Sequence, residues 1–172
     1  MAAVRSSEGG LGTQATPPPD HLYAEIRCAV IMFSFLQRSP VQRHPLPHPG
    51  ILAITADLGF YSCILNAACF WNWSADWASS MARGLEICQS KPIRIVIYDR
   101  NLPRSDWRYA FDRLSATAGH ARIFLATPRV DEDLWRMVLR RHGYDVLARS
   151  ASSEQMKREL RFAWLSLQGP GV

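Results

Sequence analysis

From Ile51 onward the chain alternates between short apolar runs and longer stretches with apolar residues three or four apart. The clearest run is Ile93-Arg94-Ile95-Val96-Ile97-Tyr98-Asp99, where five of the six residues before Asp99 are apolar. Such a run predicts a strand buried on both faces of a parallel sheet. Pro103 removes a backbone donor and fixes φ shortly afterwards, so the strand stops at Asp99. Similar patterns predict a first strand at Ile51–Ala56 and a second, alternating and half-exposed one at Phe70–Ala75. A fourth strand is predicted at Ala121–Thr127 and a fifth at Tyr144–Arg149. Helical spacing fills the intervals. One stripe runs from Asp57 to about Phe70 through Leu58, Tyr61, Ile64, Leu65 and Ala68, and another from Trp77 to Gln89 through Met81, Leu85 and Cys88. Further helices are predicted at Trp107–Ser115, at Glu132–Arg141, and from a Ser152/Ser153 cap to about Leu167.

Five strands alternating with five helices require a parallel sheet with helices on both faces. The predicted architecture is a doubly wound α/β domain over residues 50–168. Residues 1–49 read differently. Ser6 to Asp20 is rich in Gly, Thr and Pro, Ala24 to Leu36 is a short apolar island, and Pro40, Pro45, Pro47 and Pro49 break any continuation of it. This part is expected to be a disordered extension, or to precede the true start of the chain, with Met32 a candidate start.

Composition narrows the function classes. A hydrophobic content of 48% with 20% charged residues is ordinary for a globular protein. The net charge of +5 comes from scattered arginines without a dense basic block interleaved with aromatics, so a nucleic-acid partner is not expected. Cys28, Cys63, Cys69 and Cys88 form no CxxC pair and have no His at ligand spacing, which suits free thiols in a reducing cytoplasm. No apolar run is long enough for a membrane span. A Ser-His-Asp set, a Gly-rich phosphate loop and a zinc pattern are all missing, and an enzyme is not expected.

The candidate chemistry lies at strand ends. Asp99 closes the third strand, Thr127 the fourth and Arg149 the fifth, while Asp57 lies just beyond the first. In open α/β sheets the carboxyl rim at the switch point is where ligands bind. An acid, a hydroxyl and a cation converging there suit a carboxylate that accepts a phosphoryl group, with the other two meeting its oxygens and charge. Blander roles stay open: Asp57 as a helix cap, Thr127 as an ordinary strand threonine, Arg149 as a surface charge. Trp71 and Trp73, on one face of the predicted second strand, are candidates for an exposed recognition patch.

Over about Ile51 to Leu167 the chain resembles the receiver domains of bacterial two-component response regulators. Asp99-Arg100-Asn101-Leu102-Pro103 is similar to that family's phospho-acceptor Asp-x-x-Met/Leu-Pro, and His142 to Arg149 looks like its Gly-Ala-Asp-Asp-Tyr-Leu-x-Lys-Pro stretch. The separations of 28 residues from Asp99 to Thr127 and 22 from Thr127 to Arg149 also match. The resemblance implies a flavodoxin-like sheet of order 2-1-3-4-5, with Asp99 phosphorylated by a histidine kinase or phosphotransfer protein. It also implies Mg²⁺ held by Asp57, Asp99 and the backbone carbonyl of Asn101. Thr127 would be the switch hydroxyl, unless a one-residue slip puts Ala126 there, and Tyr144 lies where receivers often carry a switch aromatic. Output would pass to a downstream protein at the face of the fourth helix, fifth strand and fifth helix, near Arg140, Arg141, Tyr144 and Arg158, from a monomer or weak homodimer. The chain departs from the family in three places. Thr55-Ala56-Asp57 carries one acid where two or three are usual, Arg149 replaces a lysine, and Ser150 replaces a proline. Arginine keeps the charge but not the geometry of an ammonium. Together these departures define the alternative, a phosphorylation-independent receiver-like module acting through protein contacts.

Overall fold

The computed structural model describes residues 48–169. The expectations for residues 1–47, including the apolar island at Ala24 to Leu36, lie outside the described residues. Five strands form one parallel sheet: β1 (Gly50–Ile54), β2 (Ser74–Ala78), β3 (Ile93–Asp99), β4 (Arg122–Thr127) and β5 (Asp145–Ala148). Their order is β2-β1-β3-β4-β5, which is the doubly wound arrangement expected from the sequence. The helices α1 (Leu58–Phe70), α2 (Met81–Ser90), α3 (Trp107–Thr117), α4 (Glu132–Arg140) and α5 (Ser153–Gln168) alternate with the strands.

Strand alternation divides the core in two. Leu52, Ile54, Val96, Tyr98, Ile123, Leu125 and Val146 face Ile87 of α2, Phe111 and Leu114 of α3, and Leu134 and Val138 of α4. On the other side Ile51, Ala53, Ile95, Ile97, Phe124, Ala126 and Leu147 face Phe60 and Ile64 of α1 and Met156, Leu160 and Trp164 of α5. β3, covered on both faces and flanked by β1 and β4, is the buried run that the sequence announced. Each helix begins at a side chain that accepts a backbone N–H: Asp57, Ser80, Asp106, Asp131 and Ser152. No helix among the described residues is long and apolar enough to cross a membrane.

One element was misplaced by pattern alone. The aromatic alternation Phe70-Trp71-Asn72-Trp73 predicts a strand over Phe70–Ala75, but α1 runs through Phe70 and β2 begins at Ser74. Asn72 adopts a left-handed conformation with φ of 56°, which turns the chain after the helix. The aromatic residues pack across that turn instead of along a strand. Trp71 and Trp73 stack with ring centroids 6.1 Å apart, and Trp73 meets Trp164 of α5 edge-on at 6.1 Å. Trp77, read as the start of a helix, lies in β2 and donates its indole N–H to the Thr55 carbonyl at 2.9 Å. The helix begins four residues later, behind the Ser80 cap.

Candidate functional site

Asp99 ends β3 with its side chain only 3% exposed. A buried carboxylate needs donors, and the chain supplies them locally and across the sheet. The amide of Asn101 donates to Asp99 Oδ1 at 3.0 Å, and the amide of Leu102 closes the turn onto the Asp99 carbonyl at 3.0 Å. Across the sheet, the hydroxyl of Thr55 donates to Asp99 Oδ2 at 2.7 Å. Thr55 comes directly after β1, the neighbour of β3, and is fully buried. Its hydroxyl also accepts the Asp57 amide at 3.0 Å, its own amide donates to the Ala78 carbonyl, and its carbonyl receives the Trp77 indole. Thr55 therefore ties the first loop to the acid, a role that reading the motif for carboxylates passed over. The available signal was a small hydroxyl residue at the end of the strand predicted to lie beside the Asp99 strand.

Asp57 caps α1 by accepting the Phe60 amide on Oδ1 at 3.0 Å, so the cap role open in the sequence is realised. Its second oxygen receives an Arg149 guanidinium nitrogen. The Phe60 amide, with lesser help from the Arg149 charge, holds the Asp57 carboxyl below its ordinary value against a smaller opposing effect of burial. Arg149 lies just past β5 and projects across the rim. Its Nε lies 3.8 Å from Asp99 Oδ2, its guanidinium rests 5.5 Å from the Phe60 ring centre, and its side chain is 21% exposed. One cation thus bridges the two carboxylates.

The fold gathers Asp57, Asp99, Arg149 and the Asn101 amide at one rim, where Thr127 ends β4 and its carbonyl accepts the Arg149 amide at 2.9 Å. Asp99 is in register with Ala126, and Ala126 shares the sheet face of Ile97 and Phe124. Thr127, one residue further, is in register with Ala148 and by alternation belongs to the opposite face, with Ile123 and Leu125. The position beside the acid therefore carries a methyl, and the hydroxyl against Asp99 comes from Thr55. Tyr144 is also displaced. It precedes β5, three residues before Leu147, which is in register with Ala126. It packs edge-on against Phe124 at 5.1 Å beneath the Arg122 guanidinium, toward the amino-terminal end of the sheet and away from Asp99.

The Mg²⁺ implied by the resemblance does not fit this donor set. Magnesium demands near-octahedral oxygen ligands at about 2.0–2.1 Å, usually including one or two free carboxylates. Here the Arg149 guanidinium already bonds Asp57 Oδ2 and faces Asp99 Oδ2 at 3.8 Å, so a fixed positive charge lies against both carboxylates that a metal would need. Among the described residues no group of three or more His, Cys, Asp or Glu side chains is placed to hold a metal.

No protein-family model matches the chain, and no curated protein matches its sequence. Solved structures do resemble it. A CheY-like response regulator receiver domain protein from Methanospirillum hungatei JF-1 superposes with a TM-score of 0.65 at 10% identity, covering 71% of this chain and 98% of that one. The signal receiver domain of an HD domain-containing protein from Pseudomonas fluorescens Pf-5 gives a TM-score of 0.63 at 17% identity, covering 77% and 95%. A Burkholderia pseudomallei response regulator protein with a phosphorylated aspartic acid, a calcium ion and citrate gives 0.57 at 16% identity, covering 72% and 76%. With its five parallel strands ordered 2-1-3-4-5 and helices on both faces, the described part of the chain has the fold of response-regulator receiver domains.

Proposed function

We propose that residues 50–168 form a signal-receiving module in which Asp99 accepts a phosphoryl group from a histidine kinase or phosphotransfer protein. The observation that carries this reading is the setting of Asp99: a carboxylate buried at the carboxyl end of the central strand, touched by the Thr55 hydroxyl and faced by the Arg149 guanidinium. In the proposed step a carboxylate oxygen of Asp99 attacks phosphorus, an acyl phosphate forms, and the donor's nitrogen leaves with the bonding electron pair. The Arg149 guanidinium meets the added negative charge through charge-assisted hydrogen bonds. Drawing Arg149 toward the phosphoryl group loosens its hold on Asp57, which couples the site to the start of α1. The module then acts as a switch through protein contacts and not as a catalyst, and residues 1–49 are an extension outside it.

A second reading, a phosphorylation-independent interaction module, is favoured by two observations. Ala126 brings no hydroxyl to the acid, and Arg149 already neutralises the carboxylates. Treating the full chain with acetyl phosphate or phosphoramidate, with and without Mg²⁺, and measuring intact mass separates the two. Addition of one phosphoryl group to the wild type but not to Asp99→Asn supports the acceptor role. Equal masses before and after treatment, in protein verified as folded, would rule out acceptance from these small donors and favour the second reading.

A further inference from the structure

Every carboxylate oxygen at the rim is engaged by the protein itself. Asp57 Oδ1 accepts the Phe60 amide and Oδ2 the Arg149 guanidinium, while Asp99 Oδ1 accepts the Asn101 amide and Oδ2 the Thr55 hydroxyl. The same Arg149 faces Asp99 Oδ2 with its Nε at 3.8 Å. We propose that the Arg149 guanidinium takes the place of a divalent cation at this rim, neutralising Asp57 and Asp99 from within and excluding metal. Physical chemistry favours the exchange. A planar fork with several fixed donors spans two separated carboxylates, whereas Mg²⁺ must gather its ligands into a tight octahedron. Arg149 is anchored besides: its backbone amide donates to the Thr127 carbonyl at 2.9 Å, and its guanidinium lies over Phe60. A cation approaching Asp57 would have to displace it or accept like-charge repulsion at contact distance. This inference concerns the same rim as the phosphoryl reading and holds whether or not Asp99 is ever phosphorylated.

The test uses Mn²⁺ as the probe, titrated into the full chain and monitored by loss of the free Mn²⁺ electron paramagnetic resonance signal. The wild type is expected to give no saturable loss beyond that of Asp99→Asn. Arg149→Met, which removes the fork and keeps an unbranched apolar stem, should bind Mn²⁺ roughly tenfold or more tightly than the wild type. The double variant Arg149→Met/Asp99→Asn should lose that gain. Arg149→Gln serves in its place if circular dichroism finds Arg149→Met unfolded. Saturable wild-type binding abolished by Asp99→Asn would overturn the proposal, as would an Arg149 variant that folds and gains no metal. Failed phosphoryl labelling with these metal results intact would count against acceptance from small donors and leave this inference standing.

Discussion

The hydroxyl of Thr55 offers a perturbation whose predicted sign opposes that of simple hydrophobicity. Thr55 is fully buried, so replacing it with valine exchanges a hydroxyl for a methyl of similar shape at a site shielded from solvent. Burial alone would make that change favourable by a fraction of a kcal/mol to about 1 kcal/mol. The same change removes the donor to Asp99 Oδ2 and the acceptor for the Asp57 amide. A hydrogen bond to a charged group contributes about 1.5–3 kcal/mol, and a buried polar atom left unpaired costs a similar amount. The expected net loss for Thr55→Val is therefore about 2–3 kcal/mol, a large share of the roughly 5–15 kcal/mol that holds a domain together. Thr55→Ser keeps the hydroxyl and deletes one methyl, a loss of about 1 kcal/mol. Urea unfolding of the full chain, monitored by tryptophan fluorescence and far-ultraviolet circular dichroism, should rank wild type above Thr55→Ser above Thr55→Val. A double-mutant cycle with Asp99→Ala, which leaves no side-chain partner for the hydroxyl, should return a coupling of about 1 kcal/mol or more between the two positions. Finding Thr55→Val as stable as Thr55→Ser, or additivity in the cycle, would refute the claim that this hydroxyl holds the acid.

Four further outcomes are expected. An added Cβ at Gly143 would lie 2.4 Å from Val138 Cγ1, 2.7 Å from Phe111 Cε1 and 2.9 Å from the Val138 carbonyl oxygen, so Gly143→Ala should destabilise by about 1–3 kcal/mol. At Gly84 the Cβ meets only the Ile54 side chain and no backbone atom, while alanine gains helix propensity; thermal melts should therefore find Gly84→Ala milder than Gly143→Ala. Burial pushes the Cys88 thiol up to about 11, whereas Cys63 and Cys69 are exposed. Peptide mapping after alkylation near pH 8 should find Cys63 and Cys69 modified and Cys88 spared until denaturant is added. The Asp57 carboxyl is held below its ordinary value of 3.8, so its contribution to stability is present above that pH and is lost as pH falls through the lower folded-state value. Asp57→Asn retains a capping oxygen without the charge, and its melting temperature should fall less steeply with acidification than that of the wild type.

How much of the architecture and the site was legible beforehand depends on the range of the physics involved. The run Ile93–Asp99, the alternating helices and the Asp57 and Ser152 caps are local statements, set by side-chain polarity at fixed periods and by orphan amides at helix starts. The sequence alone therefore determined the fold class, the sheet order through its resemblance, and the location of Asp57, Asp99 and Arg149 at strand ends. Boundaries failed where tertiary packing outweighed local pattern. Phe70 to Trp73 alternates like a strand, yet the edge-on packing of Trp73 against Trp164 and the left-handed Asn72 make it a turn. The site's chemistry was settled by register and reach, which no local pattern encodes. Register put Ala126, not Thr127, level with Asp99, because a shift of one residue reverses the face a strand side chain occupies. Reach let Arg149 cross from the end of β5 to Asp57, 92 residues earlier, and let Thr55 contact Asp99 across 44. Residue types at strand ends can be read along a chain, but which of them share a proton or a charge is decided only when the sheet brings their atoms within a few ångströms of one another.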